Sequence, residues 1–134
     1  MGRSMYIFKD LEVREQSRIM RGFLKNQRFY RGLLKAEKDR QNIKDINQQQ
    51  YILGLQTHVD IMSLAMQELE LIERFVIEQV YYDGVKQRFI AERLNIEIKD
   101  VSKISTKALK KIRNNLCNMS IGITNKDKIK NGVF

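Results

Sequence analysis

Apolar residues recur at three- and four-residue steps in several stretches of the chain, and each such stretch predicts a helix. In the first, Ile19, Met20, Phe23, Leu24, Tyr30, Leu33 and Leu34 form a stripe within a segment from about Lys9 to about Gln48. Arg14, Arg18, Arg21, Lys25, Arg28, Arg31, Lys35 and Lys38 fall mainly between those apolar positions, as the solvent side of an amphipathic helix requires. Gly22 and Gly32 weaken this helix by about 1 kcal/mol each relative to alanine. The charged and glutamine-rich run Lys35–Gln50 has Ile43 and Ile46 as its large apolar residues, so a helical extension and a frayed linker both remain open. Tyr51–Thr57, with Gly54 inside it, reads as a connector or a broken helix. From Val59, a wide apolar face of Ile61, Met62, Leu64, Ala65, Leu69, Ile72, Phe75, Val76 and Val80 predicts one helix closing at Tyr81-Tyr82-Asp83-Gly84. Gly84 suits the left-handed residue that ends a helix. No two-residue alternation predicts a sheet.

Residues 86–113 read KQRFIAERLNIEIKDVSKISTKALKKIR. Ile90, Ala91 and Leu94 make the inner face of a short helix. Val101, Ile104, Ala108, Leu109 and Ile112 make that of a longer one. Asn95, between them, is one of the few non-glycine residues that tolerate positive φ, and Ile96 plugs the turn. The small Ala91 lets two helices cross at close range, so the pair predicts a helix-turn-helix, with an ordinary helical hairpin in a bundle as the alternative.

Composition and charge sharpen this picture. The 134 residues are 43% hydrophobic and 31% charged, enough apolar material for a core, and there is no proline to interrupt a helix. The formal charge of +9 is unevenly spread. Residues 1–50 carry 12 Lys+Arg against 6 Asp+Glu, residues 51–84 carry 1 against 6, and residues 85–134 carry 12 against 4. Basic blocks of this kind are either solvated faces or electrostatic footprints for phosphate. On the longer helix, Lys99, Ser102, Lys103, Thr106, Lys107, Lys110 and Lys111 lie away from the apolar stripe, and Asp100 is the only acid between Lys99 and Arg113. An ordinary bundle helix would mix signs there.

A groove-inserted helix needs donors for base edges at its N-terminal end and cations for phosphates beyond. Lys99, Ser102 and Lys103 fit the first need; Lys107, Lys110, Lys111 and Arg113 fit the second. Lys86 and Arg88 are placed to hold the backbone across the groove.

Enzymatic chemistry finds no support. There is no Gly-rich phosphate loop, nucleophile motif, or paired carboxylate in an apolar setting. The single histidine, His58, reads as a helix-surface residue, and the single cysteine, Cys117, as a small buried hydrophobe. No catalytic residue, metal or cofactor is expected. No apolar run approaches the roughly 18–20 residues of a membrane span, and residues 1–10 show no signal-peptide core, so a cytoplasmic protein without a membrane partner is expected.

The stretch from about Leu69 to Arg113 resembles region 4 of bacterial sigma factors. The likeness rests on ERFVIEQVYYDGV at Glu73–Val85, FIAERLNI at Phe89–Ile96 and VSKISTKALKKIR at Val101–Arg113. Three positions depart from that family's pattern. Asn95 stands where glycine is usual, Glu97 where serine or threonine usually starts the second helix, and Ile98 where a polar residue is usual. The layout, with a basic helical segment ahead of region 4, is similar to small phage-type late regulators of the ArpU and RinA kind. The resemblance implies an all-α fold, in which a long N-terminal basic helix precedes a C-terminal three-helix unit. It also implies a regulator acting on double-stranded DNA, and an activator that touches RNA polymerase.

The expected division is a basic segment and connector at 1–57, a helix-turn-helix domain at 58–120 and a flexible tail at 121–134. The N-terminal helix is expected to contact DNA nonspecifically or to mediate a homodimer. The competing reading is a helical adaptor that binds an acidic protein partner or RNA polymerase without specific DNA readout.

Overall fold

The computed structural model describes residues 5–39 and 46–124. Among them are five α-helices: α1 (Val13–Asp39), α2 (Ile46–Ala65), α3 (Leu71–Ile77), α4 (Gln87–Leu94) and α5 (Ile98–Asn118). α3 continues directly into a wider π turn, Glu78–Tyr82, which ends at Gly84 with φ 66°. The expected all-α architecture with a long N-terminal helix is what the chain adopts.

Several sequence expectations are corrected. Residues Tyr51–Thr57 are neither connector nor break, because α2 runs through them. Gly54 costs this helix about 1 kcal/mol in propensity, which the burial of Leu55, Met62 and Ala65 outweighs. The helix expected from Val59 to Val80 is instead two, interrupted between Ala65 and Leu71. Asn115 Nδ2 donates to Ala65 O at 2.8 Å and Arg74 Nη2 to Met66 O at 2.9 Å, so side chains from beyond the break satisfy the carbonyls that end α2. Glu70 then starts α3 in a capping box, its N–H donating to Glu73 Oε1 at 2.9 Å.

There is also a small sheet. β1 (Met5–Ile7) pairs antiparallel with β2 (Gly122–Thr124), Tyr6 lying opposite Ile123. The tail expected from residue 121 is therefore ordered through Thr124; residues 125–134 lie outside the described residues. Finally, Cys117 is half-buried rather than buried. The open question at Lys35–Gln50 resolves as helix to Asp39 and again from Ile46, with 40–45 outside the described residues.

The core has two parts, and α5 belongs to both. Ala108, Ile112 and Leu116 in its C-terminal half join Ile19, Met20, Phe23 and Leu24 of α1, Met62 of α2, Ile123 of the ribbon and Phe8 next to it. Val101, in its N-terminal half, joins Val76, Ile90 and Ala91 in a smaller cluster. Buried Gln16 anchors the N-terminal segment to α1, its Nε2 donating to Phe8 O at 3.0 Å. Phe8 N donates in turn to Ile121 O at 2.9 Å. The basic first helix thus packs on the C-terminal unit instead of standing apart. His58 is partly buried, its ring 4.5 Å edge-on from Phe23 and 4.8 Å from Tyr30.

Ile123 is only 1% exposed and sits in the larger cluster. Ile123→Ala is expected to destabilise the protein by about 2–5 kcal/mol, read as a lower urea midpoint. An unchanged midpoint would show that the ribbon contributes nothing to the core.

Candidate nucleic-acid interface

The angle between α4 and α5 is set at Asn95, whose φ of 55° and ψ of 46° place it in the left-handed region. Ile96 N donates to Ala91 O at 3.0 Å and Asn95 N to Glu92 O at 3.2 Å. Together these bonds form the paired closure of a Schellman motif. Ile96 packs against the small cluster that holds Ile90 and Ala91, which pins the turn from beneath. The substitution of asparagine for the family's usual glycine is compatible with this geometry, because asparagine visits left-handed conformations far more readily than branched residues do.

α5 begins at once with Glu97 as its N-cap. Glu97 N donates to Asp100 Oδ2 at 3.3 Å, closing a reciprocal box with two carboxylates at the positive end of the helix. Glu97 also lies 3.2 Å from Lys99, and both side chains are 69% exposed. Such an exposed pair contributes little and exchanges readily for another anion.

Beyond this cap, Val101, Ser105, Ala108, Ile112 and Leu116 face inward. Lys99, Ser102, Lys103, Thr106, Lys107 and Lys110 are all exposed. On α4, Lys86 and Arg88 are exposed as well, with the Arg88 guanidinium 4.8 Å above the Phe89 ring. A shallow concavity at the turn is lined by Arg88, Glu92, Asn95, Glu97, Ile98 and Lys99. The result is one convex cationic face on α5, bordered at its start by a mixed-charge hollow.

Two expected contacts are placed differently. Lys111 is half-buried, and its Nζ donates to Glu73 Oε1 at 2.7 Å. Glu73 is itself 2% exposed. Burial works to raise the Glu73 carboxyl. The Lys111 hydrogen bond, the Glu70 backbone N–H and the charges of Lys111 and Lys107 outweigh it, and hold the group below its ordinary value. The Glu73 hydrogen bond correspondingly raises Lys111. Lys111 therefore ties α5 to α3 and is not part of the outward face.

Arg113 is half-buried and lines a groove of about 200 Å³ between α1 and α5, together with Ser17, Arg21, Thr106 and Lys110. Arg21 lies outside the contacts expected of the helix-turn-helix itself. Its signal in the sequence is its place in a run of regularly spaced α1 cations.

Residues 65–114 match the family model of Sigma-70, region 4. This stretch is a sigma factor region 4-like helix-turn-helix, and the matched family is a DNA-binding regulatory domain rather than an enzyme family. No curated protein and no solved structure matches the chain. No helix among the described residues is long and apolar enough to cross a membrane.

Two predictions test the scaffold. Asn95→Val is expected to cost about 1–2 kcal/mol through the left-handed backbone, whereas Asn95→Gly keeps wild-type stability; equal urea midpoints for both variants would contradict the turn. Lys111→Met strands a buried carboxylate and is expected to cost about 1.5–3 kcal/mol at pH 7. A carboxyl held below its ordinary 4.5 contributes stability above that value and loses it as pH falls through its folded-state value. The gap between wild type and Lys111→Met should therefore narrow as pH falls below the carboxyl's ordinary 4.5, and a gap constant with pH would exclude the ion pair as its cause.

Proposed function

We propose that the protein is a sequence-specific DNA-binding regulator of transcription, a phage-type or sigma-like activator that inserts α5 into the major groove. The observation that carries this reading is the uncovered outer face of α5, in which Lys99, Ser102, Lys103, Thr106, Lys107 and Lys110 are exposed behind a left-handed turn. Lys99, Ser102 and Lys103 stand at the end of the helix that meets base edges, where lysine donates to guanine O6 and N7 and serine pairs with several bases. Lys107 and Lys110, with Arg113 at the flank, lie further along and neutralise phosphates. Lys86 and Arg88 at the start of α4 reach the backbone across the groove. The protein works in the cytoplasm and catalyses no reaction. If it acts as a homodimer, its operator has two-fold symmetry with half-sites about one helical turn apart.

A second surface supports contact with RNA polymerase. Leu64, Leu71 and Ile72 are exposed, as are Glu68 and Glu70, in the segment where α2 passes into α3. An apolar patch with acidic neighbours repels DNA and suits a protein partner. The adaptor reading would keep this surface and dispense with base readout.

Lys103→Ala and Lys110→Ala separate the two. Lys103→Ala is expected to lower affinity by about 1–3 kcal/mol and to relax the preference at one base pair. Lys110→Ala should weaken all sequences alike, as loss of a phosphate contact does. Gel shifts on duplexes selected from a random library read both effects; wild-type behaviour by both variants would contradict the placement of α5.

A further inference from the structure

We infer that α1 forms a second, sequence-independent DNA-backbone surface continuous with the outer face of α5. This rests on the reading of α5 as the groove-inserted helix. Arg14, Arg18, Arg21, Lys25 and Arg28 follow one another at steps of four, three, four and three, which places them on a single line along α1. All five are exposed, opposite the side on which Ile19, Met20, Phe23 and Leu24 enter the core. Between Glu15 and Glu37 the helix carries six cations and no acid. Among the described residues none of the five takes part in a salt bridge, whereas Lys99 and Lys111 each have a carboxylate within 4 Å.

Like charges at these spacings repel along a helix. An isolated solvated face would relieve that repulsion with interspersed acids, as the pattern on α1 does not.

The ridge also meets α5. Arg21 shares a groove with Lys110 and Arg113, and no acid lines it. Three cations from two helices converge there because the hydrophobic cluster holds α1 against the C-terminal half of α5. From Arg14 to Arg28 the line is about 21 Å long. Duplex DNA presents a phosphate on each strand about every 3.4 Å, so a ridge of this length spans about six base pairs of backbone. Phosphate is the partner that fits, since the ridge offers a row of five exposed cations, with the exposed Phe29 beside only its last member. Contacts of this kind position a protein on the duplex and carry no base preference.

The test uses the full chain and one selected binding site, placed in duplexes of about 12 and about 30 base pairs, with affinity followed against salt. Wild type is expected to bind the longer duplex more tightly and with a steeper salt dependence. The variant Arg14→Gln, Arg18→Gln, Arg21→Gln, Lys25→Gln should lose that advantage and flatten the slope of log affinity against log salt by about three to four. Its base preference should persist. The set with lysine at positions 14, 18 and 21 should keep the wild-type slope, which separates loss of charge from damage to the helix. A glutamine variant with wild-type slope and intact base preference overturns the α1 surface and leaves the α5 reading standing. Wild-type protein that binds neither duplex overturns both.

Discussion

A single left-handed residue governs the geometry from which function follows. Asn95, at φ 55°, turns the chain so that α5 leaves α4 at a sharp angle, and the Ile96 N–H bond to Ala91 O locks that turn. Were the chain to continue in the right-handed region, α4 and α5 would merge into one helix. Val101 would then lose its place against Ile90 and Ala91, and the lysines beyond it would lose a common direction. The small side chain of Ala91 and the left-handed tolerance of asparagine are thus local requirements with a long-range result.

The cations of the helix-turn-helix divide by role. Lys103, Lys107 and Lys110 face solvent and leave their charge available to a ligand. Lys111 spends its charge inside the protein on Glu73, whose buried carboxylate also caps the start of α3. The pair joins the first and last helices of the unit, while Asn115 reaches the end of α2 four residues further on. α5 is therefore the spine against which the rest of the chain packs, which fixes its outer face relative to α1.

Much of this was legible in the sequence, and the exceptions have physical causes. The helix-turn-helix reads clearly because its inner residues, its turn residue and its charged face all agree. Lys111 was misplaced among outward cations although it falls on the line of Ile104 and Ala108, four and three residues apart, which belongs to the flank of the buried stripe. The break before α3 was hidden because Leu69 and Ile72 continue the apolar rhythm across it. Its marker, the Glu70–Glu73 box, uses glutamate where serine or threonine would signal a helix start. Gly54 misled in the opposite direction, since burial on neighbouring turns holds α2 together through a weak former. The ribbon lay beyond reach: two three-residue strands at opposite ends of the chain show no alternation, and only the fold brings them together.

The central claim is that the outer face of α5 meets the duplex while its inner face stays clamped by protein. Backbone and side-chain NMR spectra recorded during titration with a selected duplex test it most directly. The account predicts the largest shifts at Lys99, Ser102, Lys103, Thr106 and Lys107, with the Glu73–Lys111 contact unmoved. Shifts centred on the α2–α3 corner, with those α5 residues silent, would contradict it.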